Sequence, residues 1–325
     1  VDTRPRSYPL CQEMKRLIVI VGPTASGKTA LAVRVAQPLG GEIVSADSRQ
    51  VYRGMDIGTA KPSAQDRASV PHHLIDIVEP DQPFSIASWL DLAHQALADI
   101  WSRDRLPFLV GGTGQYVWAL LEGWRVPRVA PRPDLRRRLS SRPAAELLEE
   151  LQRIDPEALR FVDPRNPRRI VRALEVAYSS GKPFSHWRTK APPDLHPLII
   201  GLRLPRDELY RRIDARVDAM IAAGVIDEVR ALLAAGYSPH LPSMSGIGYR
   251  EMCQYIAGEI DLPAAIARIK TATHRLARHQ SAWFKPSDDR IQWVETSEQA
   301  RDLIEAFLKA APAGATHQAH PEKQG

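Results

Sequence analysis

Residues 17–29 read LIVIVGPTASGKT, and this stretch decides the fold. Its first five residues are apolar without interruption, which predicts a short buried strand. The next residues have the spacing G-x-x-x-x-G-K-T of a phosphate-binding loop. Glycines let successive backbone N–H groups curl around an anion, and the following helix points its positive N-terminus at the same anion. The stretch therefore predicts a site for linked phosphates, formed by Gly22, Pro23, Thr24, Ala25, Ser26, Gly27, Lys28 and Thr29.

Two side chains of this phosphate loop (residues 22–29) suit particular ligands. Lys28 adds a positive point charge, and the Thr29 hydroxyl suits a Mg²⁺ ion, which is the cofactor that we expect. The alternative is a glycine-rich strand-to-helix turn with an incidental lysine. Because the four fixed positions occur by chance in roughly one chain per hundred of this length, we favour the phosphate loop.

The composition is typical of a globular protein with one large or two modest domains. The chain has 325 residues, of which 44% are hydrophobic and 25% are charged. Its two cysteines, Cys11 and Cys253, are far apart in sequence and indicate a reducing cytosol without a disulfide framework. No apolar run approaches the length of a membrane span, and residues 1–16 lack a signal-peptide pattern. We therefore expect a cytoplasmic protein that does not enter a membrane.

The excess positive charge of the chain, +6 in total, is concentrated in one segment. Residues 1–125 hold 13 Lys and Arg against 13 Asp and Glu, and residues 191–325 hold 16 against 17. Residues 126–190 hold 15 against 8, which is a net charge of +7. Such a run often forms a solvated face, but an excess of one sign confined to one segment favours contact with a nucleic-acid backbone.

Two candidates for chemistry follow predicted strands. Asp47 comes just after a strand over 42–46, so it should lie at the same sheet edge as Lys28, although it also suits the cap of a turn. A strand from residue 106 ends in Gly-Gly-Thr-Gly at 111–114, where a phosphate-loop ATPase often has an aspartate for Mg²⁺. This glycine turn (residues 111–114) allows close approach of a ligand and counts against simple nucleotide hydrolysis. Its alternative is a tight strand-to-helix turn.

Two long helices carry further candidates. A helix over 205–223 places Arg216 among the apolar residues of one stripe. An inward arginine needs an anion, and we favour a clamp on the bound phosphates over a structural ion pair. A helix over 264–285 is rich in basic and aromatic residues. It suits either stacking on bases or a surface helix with Leu276 and Trp283 inward.

Together these elements predict an α/β protein with a P-loop NTPase-like parallel sheet core flanked by helices. Strands over 70–78, 198–204 and 290–295 and a helix over 84–101 complete the core. His72 and His73 are adjacent on a strand and face opposite ways, so we treat them as structural. A small all-helical insertion domain presents arginines outward. The expected segments are a loose arm over 1–14, the first part of the core over 15–125, the basic insertion over 126–197, the second part of the core over 198–300 and a disordered tail over 311–325.

Several longer motifs point to a particular family. They read GPTASGKT, SADSRQVYRGMDIGTAKP, PHHLIDI, GGTGQY, RNPRRIVRALEVAYSSGKPFS, GIGYRE and RHQSAWFK. Over about residues 15–295 the chain resembles the bacterial tRNA dimethylallyltransferases, which have these motifs in the same order. The resemblance implies transfer of a five-carbon prenyl group from dimethylallyl diphosphate to N6 of adenine 37, next to the anticodon of a tRNA. In that family the phosphate loop holds the diphosphate of the prenyl donor instead of ATP.

The resemblance also implies roles for single residues. Asp47 maps onto the general base of the family, Thr113 onto the threonine of its glycine turn and Arg216 onto its clamp arginine. The implied tRNA contacts are Asp47, Ser48, Arg49, Gln50, Thr113, Arg136, Arg165, Arg168, Arg169, Gly248, Tyr249, Arg250, Arg278, Gln280 and Trp283. We expect a monomer that binds the anticodon stem-loop. The chain departs from the family pattern at Gln115, at His279 and at Ser245-Gly246, and the last two changes bear on tRNA affinity.

Three other functions stay open at the level of sequence. A small-molecule kinase would use the phosphate loop for ATP, although it gives no reason for the arginine-rich insertion. An isopentenyltransferase for free adenine nucleotides would need the same loop and base but not the insertion. A non-catalytic RNA-binding switch would not depend on Asp47. Whether ATP binds at the loop as a competitor is a further open question.

Overall fold

The structure is a computed structural model that describes residues 15–310, so the predicted arm over 1–14 and tail over 311–325 lie outside the described residues. Its strands are β1 (Arg16–Val21), β2 (Glu42–Ser45), β3 (His72–His73), β4 (Pro107–Gly111), β5 (His196–Leu202) and β6 (Ile291–Val294). They form one parallel sheet in the order β3-β2-β4-β1-β5-β6. The predicted α/β class with a parallel core is confirmed.

Helices flank the sheet. The α-helices of the described chain are α1 (Lys28–Ala36), α2 (Ala64–Ser69), α3 (Ile86–Ser102), α4 (Gly114–Leu121), α5 (Pro133–Ser140), α6 (Ala144–Ile154), α7 (Pro167–Ser180), α8 (Arg206–Ala222), α9 (Val225–Ala234), α10 (Tyr249–Ile256), α11 (Leu262–Trp283) and α12 (Ser297–Lys309). Short 3₁₀ segments cover Gln37–Leu39, Pro156–Arg160 and Phe184–Trp187. Over residues 15–310, none of these helices combines the length and the apolar character that crossing a membrane requires.

The position of β1 explains its uninterrupted apolar sequence. It pairs with β4 on one side and with β5 on the other, so that Ile18 lies opposite both Phe108 and Leu198. Leu17 and every second residue after it in β1 pack on the face of the sheet that α3 and α4 cover. Ile18 and Ile20 pack on the opposite face, which α1 and α12 cover. A strand buried on both faces needs apolar residues at every position. The phosphate loop therefore follows an inner strand of the sheet, at the end where the parallel strands have their carboxyl termini.

Two elements of the core differ from the prediction. The strand expected over 70–78 is only the two-residue β3, because Leu74 and Asp76 adopt φ angles of 64° and 57°, which no extended strand contains. The core also continues beyond residue 300, since α12 packs Ile304 against the sheet. Thr296 and Gln299 begin α12 with a capping box, a local signal for a helix N-terminus that the sequence analysis missed.

The segment over 126–197 contains α5, α6 and α7, which share an apolar cluster of their own. Its two ends lie side by side, because the Arg125 N–H donates to the Thr189 carbonyl at 3.0 Å. Arg136 and Arg172, which were expected to face outward, instead pair with Glu175, whose side chain is fully buried. These two arginines compensate a buried carboxylate, because an unpaired charge there would be costly.

A further helical layer consists of α8, α9, α10 and α11, which share one apolar cluster. On α11 the buried residues are Ala265, Ile269 and Ala277, whereas Leu276 and Trp283 are 38% and 41% exposed. These two side chains are therefore not buried, but they do face other parts of the protein, because Trp283 packs against Gly114 and Leu276 lines the central cavity described below.

Candidate active site

The phosphate loop joins the end of β1 to the start of α1 and has the backbone that an anion site requires. Gly27 has a φ angle of +94° and Ala25 one of +62°, both in the left-handed region. The Lys28 ammonium donates to the Pro23 carbonyl at 2.7 Å, which folds the side chain back over the loop. Burial lowers the pKa of Lys28 to about 8; the nearby Asp47 carboxylate raises that pKa, and the Arg216 guanidinium lowers it. A desolvated ammonium of this kind is stabilised by an anionic ligand.

Asp47 follows β2 at the sheet edge that carries the phosphate loop. Its Oδ1 accepts a hydrogen bond from the Arg49 N–H at 2.8 Å, so the carboxylate does cap its own turn. The same side chain lines the cavity described below and acts electrostatically on both Lys28 and Arg216. The turn fixes one carboxylate oxygen, and the structural and the functional interpretation of Asp47 are therefore compatible.

Thr113 is part of the glycine turn and lies beside Asp47. Its N–H donates to the Ala46 carbonyl at 3.2 Å, and its Oγ1 accepts from the Ser48 N–H at 3.2 Å. These two bonds join the ends of β2 and β4, so that Asp47 and Thr113 are held side by side although 66 residues separate them.

The glycines of the turn are packed closely against other protein atoms. A Cβ on Gly111 would lie 2.2 Å from the Ala46 carbonyl oxygen, and one on Gly112 would lie 2.3 Å from Gln280 Nε2. A Cβ on Gly114 would lie 2.3 Å from Trp283 Cγ. Close internal packing therefore accounts for these glycines, while Gly111 and Gly112 also line the central cavity described below. The close approach of a ligand to this turn stays a prediction.

Arg216 projects from α8 toward the phosphate loop. Its Nη1 donates to Thr24 Oγ1 at 3.4 Å, and it makes no salt bridge to any carboxylate of residues 15–310. Burial lowers its pKa, which the Asp47 carboxylate partly offsets. The structural ion pair considered from the sequence is thus not formed, and the guanidinium remains available for a bound anion.

All these side chains line one central cavity of about 700 Å³. From the predicted site it contains Thr24, Ala25, Gly27, Lys28, Thr29, Asp47, Ser48, Arg49, Gln50, Thr113, Arg216, Gly248, Tyr249 and Gln280. Apolar residues of α8 and α11, among them Ile213, Val217 and Ile269, form part of its wall. The cavity therefore combines a cationic anion site, a carboxylate and an apolar surface.

Several residues expected to bind tRNA are engaged with the protein itself. Gln50 Nε2 donates to the Ala60 carbonyl at 3.2 Å, and its Oε1 accepts from Ser45 Oγ at 3.2 Å. Arg49 Nη1 donates to the Pro242 carbonyl at 2.9 Å. The Arg250 guanidinium donates from Nε to Glu251 at 2.9 Å.

Tyr249 is 1% exposed, and its hydroxyl donates to Glu228 at 2.6 Å. The Glu228 carboxylate also accepts from the N–H groups of Asp56, Ile57 and Gly58 at 2.8, 2.7 and 3.2 Å. Glu228 thus holds two walls of the central cavity, the loop at 56–58 and the start of α10. Glu228 could not be recognised from the sequence, because a glutamate in the first turn of a helix is common and gives no sign of distant partners.

The remaining predicted tRNA contacts lie outside the central cavity. Arg165, Arg168 and Arg169 are exposed at the start of α7, and Arg165 Nε lies 3.3 Å from Asp163. Arg278 is exposed on α11 and donates to the Tyr210 hydroxyl at 2.8 Å. The structure therefore gathers the implied catalytic residues in one place and leaves the basic ones dispersed over the surface.

A second cavity of about 830 Å³ lies between the core and the segment over 126–197. We call it the insertion groove. It is lined by aromatic and cationic side chains, including Trp124, Trp187, Arg125, Arg128, Arg136, Arg172, Arg188 and Lys190, and by the core residues Tyr52 and Gln115. Gln115 follows Thr113 by two residues, so one short segment contributes to both cavities.

The fold and the central cavity define a phosphate-loop α/β protein with buried cations beside a carboxylate. Comparison with known families makes this specific. The family model described as IPP transferase matches residues 50–287, and the one described as isopentenyl transferase matches residues 15–75. The chain belongs to the IPP transferase family.

Individual relatives agree with this assignment. A tRNA dimethylallyltransferase from Roseiflexus sp. (strain RS-1) is 60% identical over 273 residues, which is 83% of this chain and 90% of the relative. One from Chloroflexus aurantiacus is 52% identical over 294 residues, 89% of this chain and 99% of the relative.

Solved structures agree with it as well. The full-length tRNA isopentenylpyrophosphate transferase of Bacillus halodurans matches with a TM-score of 0.67 at 39% identity, over 90% of this chain and 97% of that one. A eukaryotic dimethylallyltransferase described as acting on tRNA matches with a TM-score of 0.78 at 26% identity, over 90% and 79%.

Proposed function

We propose that this enzyme transfers a dimethylallyl group from dimethylallyl diphosphate to N6 of adenine 37 in tRNA and releases diphosphate. The observation that carries the proposal is that Lys28, Asp47, Thr113 and Arg216 line one cavity, so an anion site and a carboxylate face the same space. The names of the relatives support tRNA as the substrate. The position of the adenine follows from the resemblance of the motifs.

The cationic side of the cavity fits the donor. As the allylic C–O bond breaks, negative charge accumulates on the leaving diphosphate, and preorganised positive groups stabilise that charge most effectively where water is excluded. Lys28 and the N–H groups of the phosphate loop contact the diphosphate from one side, and Arg216 contacts it from α8. The apolar wall formed by Ile213 and Val217 suits the five-carbon tail.

The carboxylate side of the cavity fits the acceptor. The N6 amine of adenine is a weak nucleophile because its lone pair is delocalised into the ring. Asp47 accepts the N6 proton as the general base, and its capped turn fixes the direction of the carboxylate. Thr113 hydrogen-bonds to the diphosphate or to a water molecule beside it. The adenine has to leave the base stack to reach this cavity, as in other enzymes that modify bases.

The residues of the site suit a Mg²⁺ ion that has few protein ligands. Within residues 15–310 no group of three or more His, Cys, Asp or Glu is placed to hold a metal ion, whereas Thr29 offers a hydroxyl in the cavity. Mg²⁺ commonly uses substrate phosphates and water with few protein ligands. Thr29 would therefore hold a Mg²⁺ ion that is bound mainly by the diphosphate. When bound, the ion would offset negative charge on the leaving group.

The insertion groove is the path that we propose for the anticodon stem-loop. Arg136 and Arg172 are paired with Glu175, but Arg125 and Arg188 are exposed and make no salt bridge within residues 15–310, so these two suit phosphate contacts. The tryptophans of the groove suit stacking on splayed bases. The exposed residues Arg165, Arg168 and Arg169 at the start of α7 would add further phosphate contacts. One tRNA would occupy the groove of one chain, which is why we propose a monomer, and a tRNA substrate would place the reaction in the cytoplasm.

The direct test uses labelled dimethylallyl diphosphate and an unmodified tRNA transcript. We expect label in the adenine of the nucleoside digest, and none when a transcript with guanine at position 37 is used. Folded protein that leaves tRNA unlabelled but transfers the γ-phosphate of ATP would instead support a kinase. Label in free adenine nucleotides but not in tRNA would support the nucleotide-specific transferase.

Replacing the base separates an enzyme from an RNA-binding switch. Asp47→Asn keeps an oxygen that accepts from the Arg49 N–H, so the local turn should persist, but the amide is no longer a base. We expect the single-turnover rate to fall by about 10²- to 10⁴-fold, with the tRNA Kd changed by less than about twofold. Asp302→Asn, at an exposed position of α12, is the matched control and should keep the wild-type rate. An unchanged rate for Asp47→Asn would contradict the assignment of the base.

A further inference from the structure

The last turns of α11 contact both loops that form the reaction site. Gln280 Oε1 accepts a hydrogen bond from the Thr24 N–H of the phosphate loop at 2.7 Å. Gln280 Nε2 donates to the carbonyl of Gly112 in the glycine turn at 3.1 Å. One amide group therefore joins two loops that lie 256 and 168 residues away from it in the sequence.

The glycine turn fits this bridge closely. A Cβ at position 112 would lie 2.3 Å from Gln280 Nε2, so only glycine allows the amide to approach the turn this far. One helical turn later, Trp283 packs against Gly114 in the same way, and its carbonyl accepts from Trp118 Nε1 at 3.0 Å. The end of α11 thus packs against the glycine turn at two positions, Gly112 and Gly114.

The bridge lies between the donor side and the acceptor side of the central cavity. Thr24, which Gln280 holds by its backbone, also receives the hydrogen bond from Arg216 through its side chain. Gly112, which Gln280 holds by its carbonyl, directly precedes Thr113. Gln280 therefore links the loop of the proposed diphosphate site to the side of the cavity that carries Thr113 and Asp47.

That separation matters for the chemistry. The reacting atoms of a bimolecular transfer have to be held about 3–3.5 Å apart, and a misplacement of about 1 Å costs on the order of 10²-fold in rate. The pairing of β1 with β4 ends at Val21 and Gly111, and Gln280 bonds to both chains just beyond that point, at Thr24 and Gly112.

We propose that Gln280 is a positioning residue that holds the phosphate loop and the glycine turn in register, and that it does not contact tRNA. This inference rests on the proposed function. The sequence motif had suggested Gln280 as a tRNA contact, but its amide oxygen and nitrogen are both engaged with the protein. The role in RNA binding on this helix falls to exposed residues such as Arg278.

The test compares variants at position 280 in steady-state and single-turnover assays. Gln280→Leu removes both hydrogen bonds at similar volume. We expect the KM for dimethylallyl diphosphate to rise about tenfold and the transfer rate to fall about 10- to 100-fold, while the tRNA Kd changes by less than about twofold. Gln280→Glu keeps the acceptor for the Thr24 N–H but puts a carboxylate oxygen against the Gly112 carbonyl. Its loss should equal or exceed that of the leucine variant.

Ser281→Ala is the matched control. The Ser281 hydroxyl donates to the Ala277 carbonyl of its own helix at 3.0 Å, and the variant should retain the wild-type donor KM, rate and tRNA Kd. Thermal unfolding of each variant shows whether its helix has remained folded. If Gln280→Leu fails to fold, the donor KM and the tRNA Kd of Gln280→Glu decide the question.

The possible outcomes separate this inference from the proposed function. A wild-type enzyme that puts no label into tRNA would reject the proposed function itself. An active wild type with an unchanged donor KM and rate in folded Gln280 variants would overturn the positioning role. A weaker tRNA Kd with an unchanged donor KM would show that Gln280 is an RNA contact after all.

Discussion

At the scale of single residues, the central cavity holds positive charge that the protein neutralises incompletely. Lys28 donates to the Pro23 carbonyl and Arg216 to the Thr24 hydroxyl, which are neutral acceptors. Burial lowers the pKa of both cations, and the Asp47 carboxylate only partly offsets this effect. A ligand with several negative charges would stabilise two desolvated cations, which supports the proposal that a diphosphate binds here.

The pKa of Lys28 predicts how donor binding depends on pH. Because burial lowers this pKa to about 8 in the free enzyme, the side chain is protonated below pH 8 and loses its charge as the pH rises above it. We expect the KM for dimethylallyl diphosphate to be constant up to about pH 7, to be roughly doubled at pH 8 and then to approach a tenfold rise per pH unit. Lys28→Arg, whose guanidinium stays protonated, should remove the break at pH 8. A break that persists in that variant would assign it to another group.

At the scale of elements, the helices and strands that were predicted correctly are those that depend on local sequence patterns. The apolar run of β1, the loop spacing and the stripe of α8 each depend on neighbouring residues, and their positions agree with the structure. The short β3 was not predictable in this way, because the left-handed backbone of Leu74 and Asp76 breaks a sequence that is otherwise rich in strand formers. The hydrogen-bond partners of Gln280 lie 168 and 256 residues away in the sequence, and those of Glu228 lie 21 to 172 residues away. No local sequence pattern predicts such contacts.

Glu228 shows how one side chain fixes a wall of the cavity. Its carboxylate accepts hydrogen bonds from three backbone N–H groups at 56–58 and from the Tyr249 hydroxyl. Glu228→Ala leaves these donors without their acceptor, and we expect the free energy of unfolding to fall by about 2 kcal/mol. Transfer activity should fall as well, since Gly58 and Tyr249 line the cavity. Urea unfolding monitored by circular dichroism measures the first effect.

Asp227→Ala is the matched control for Glu228. Asp227 lies on the same turn of α9, its side chain is 78% exposed, and within residues 15–310 it pairs with Arg230 alone, at 2.9 Å, so its removal should cost less than about 0.5 kcal/mol. Equal unfolding midpoints for the two variants would mean that water replaces the Glu228 carboxylate without loss.

At the scale of the whole molecule, the two cavities lie in different parts of the chain, and we have proposed a different role for each. The central cavity lies at the edge of the sheet, where β1, β2 and β4 end and where rigid strands position the reacting groups. The insertion groove lies where the segment over 126–197 meets the core. Arg125 and Thr189 are hydrogen-bonded to each other, so the two chain connections between that segment and the core lie side by side. Donor binding and tRNA binding should therefore respond to different substitutions.

Charge reversal on the insertion tests this division. Arg168 is exposed at the start of α7, and a phosphate contact there contributes to affinity without regard to sequence. Arg168→Glu should weaken tRNA binding about three- to tenfold and reduce the slope of log Kd against log salt by about 1, with the donor KM unchanged. Arg301→Glu makes the same charge change at an exposed position of α12 on the core, and it should leave both quantities near the wild-type values. If both variants weakened tRNA binding equally, affinity would follow the net charge of the protein and not the surface of the insertion, and the proposed path of the anticodon stem-loop along the groove would have to be abandoned.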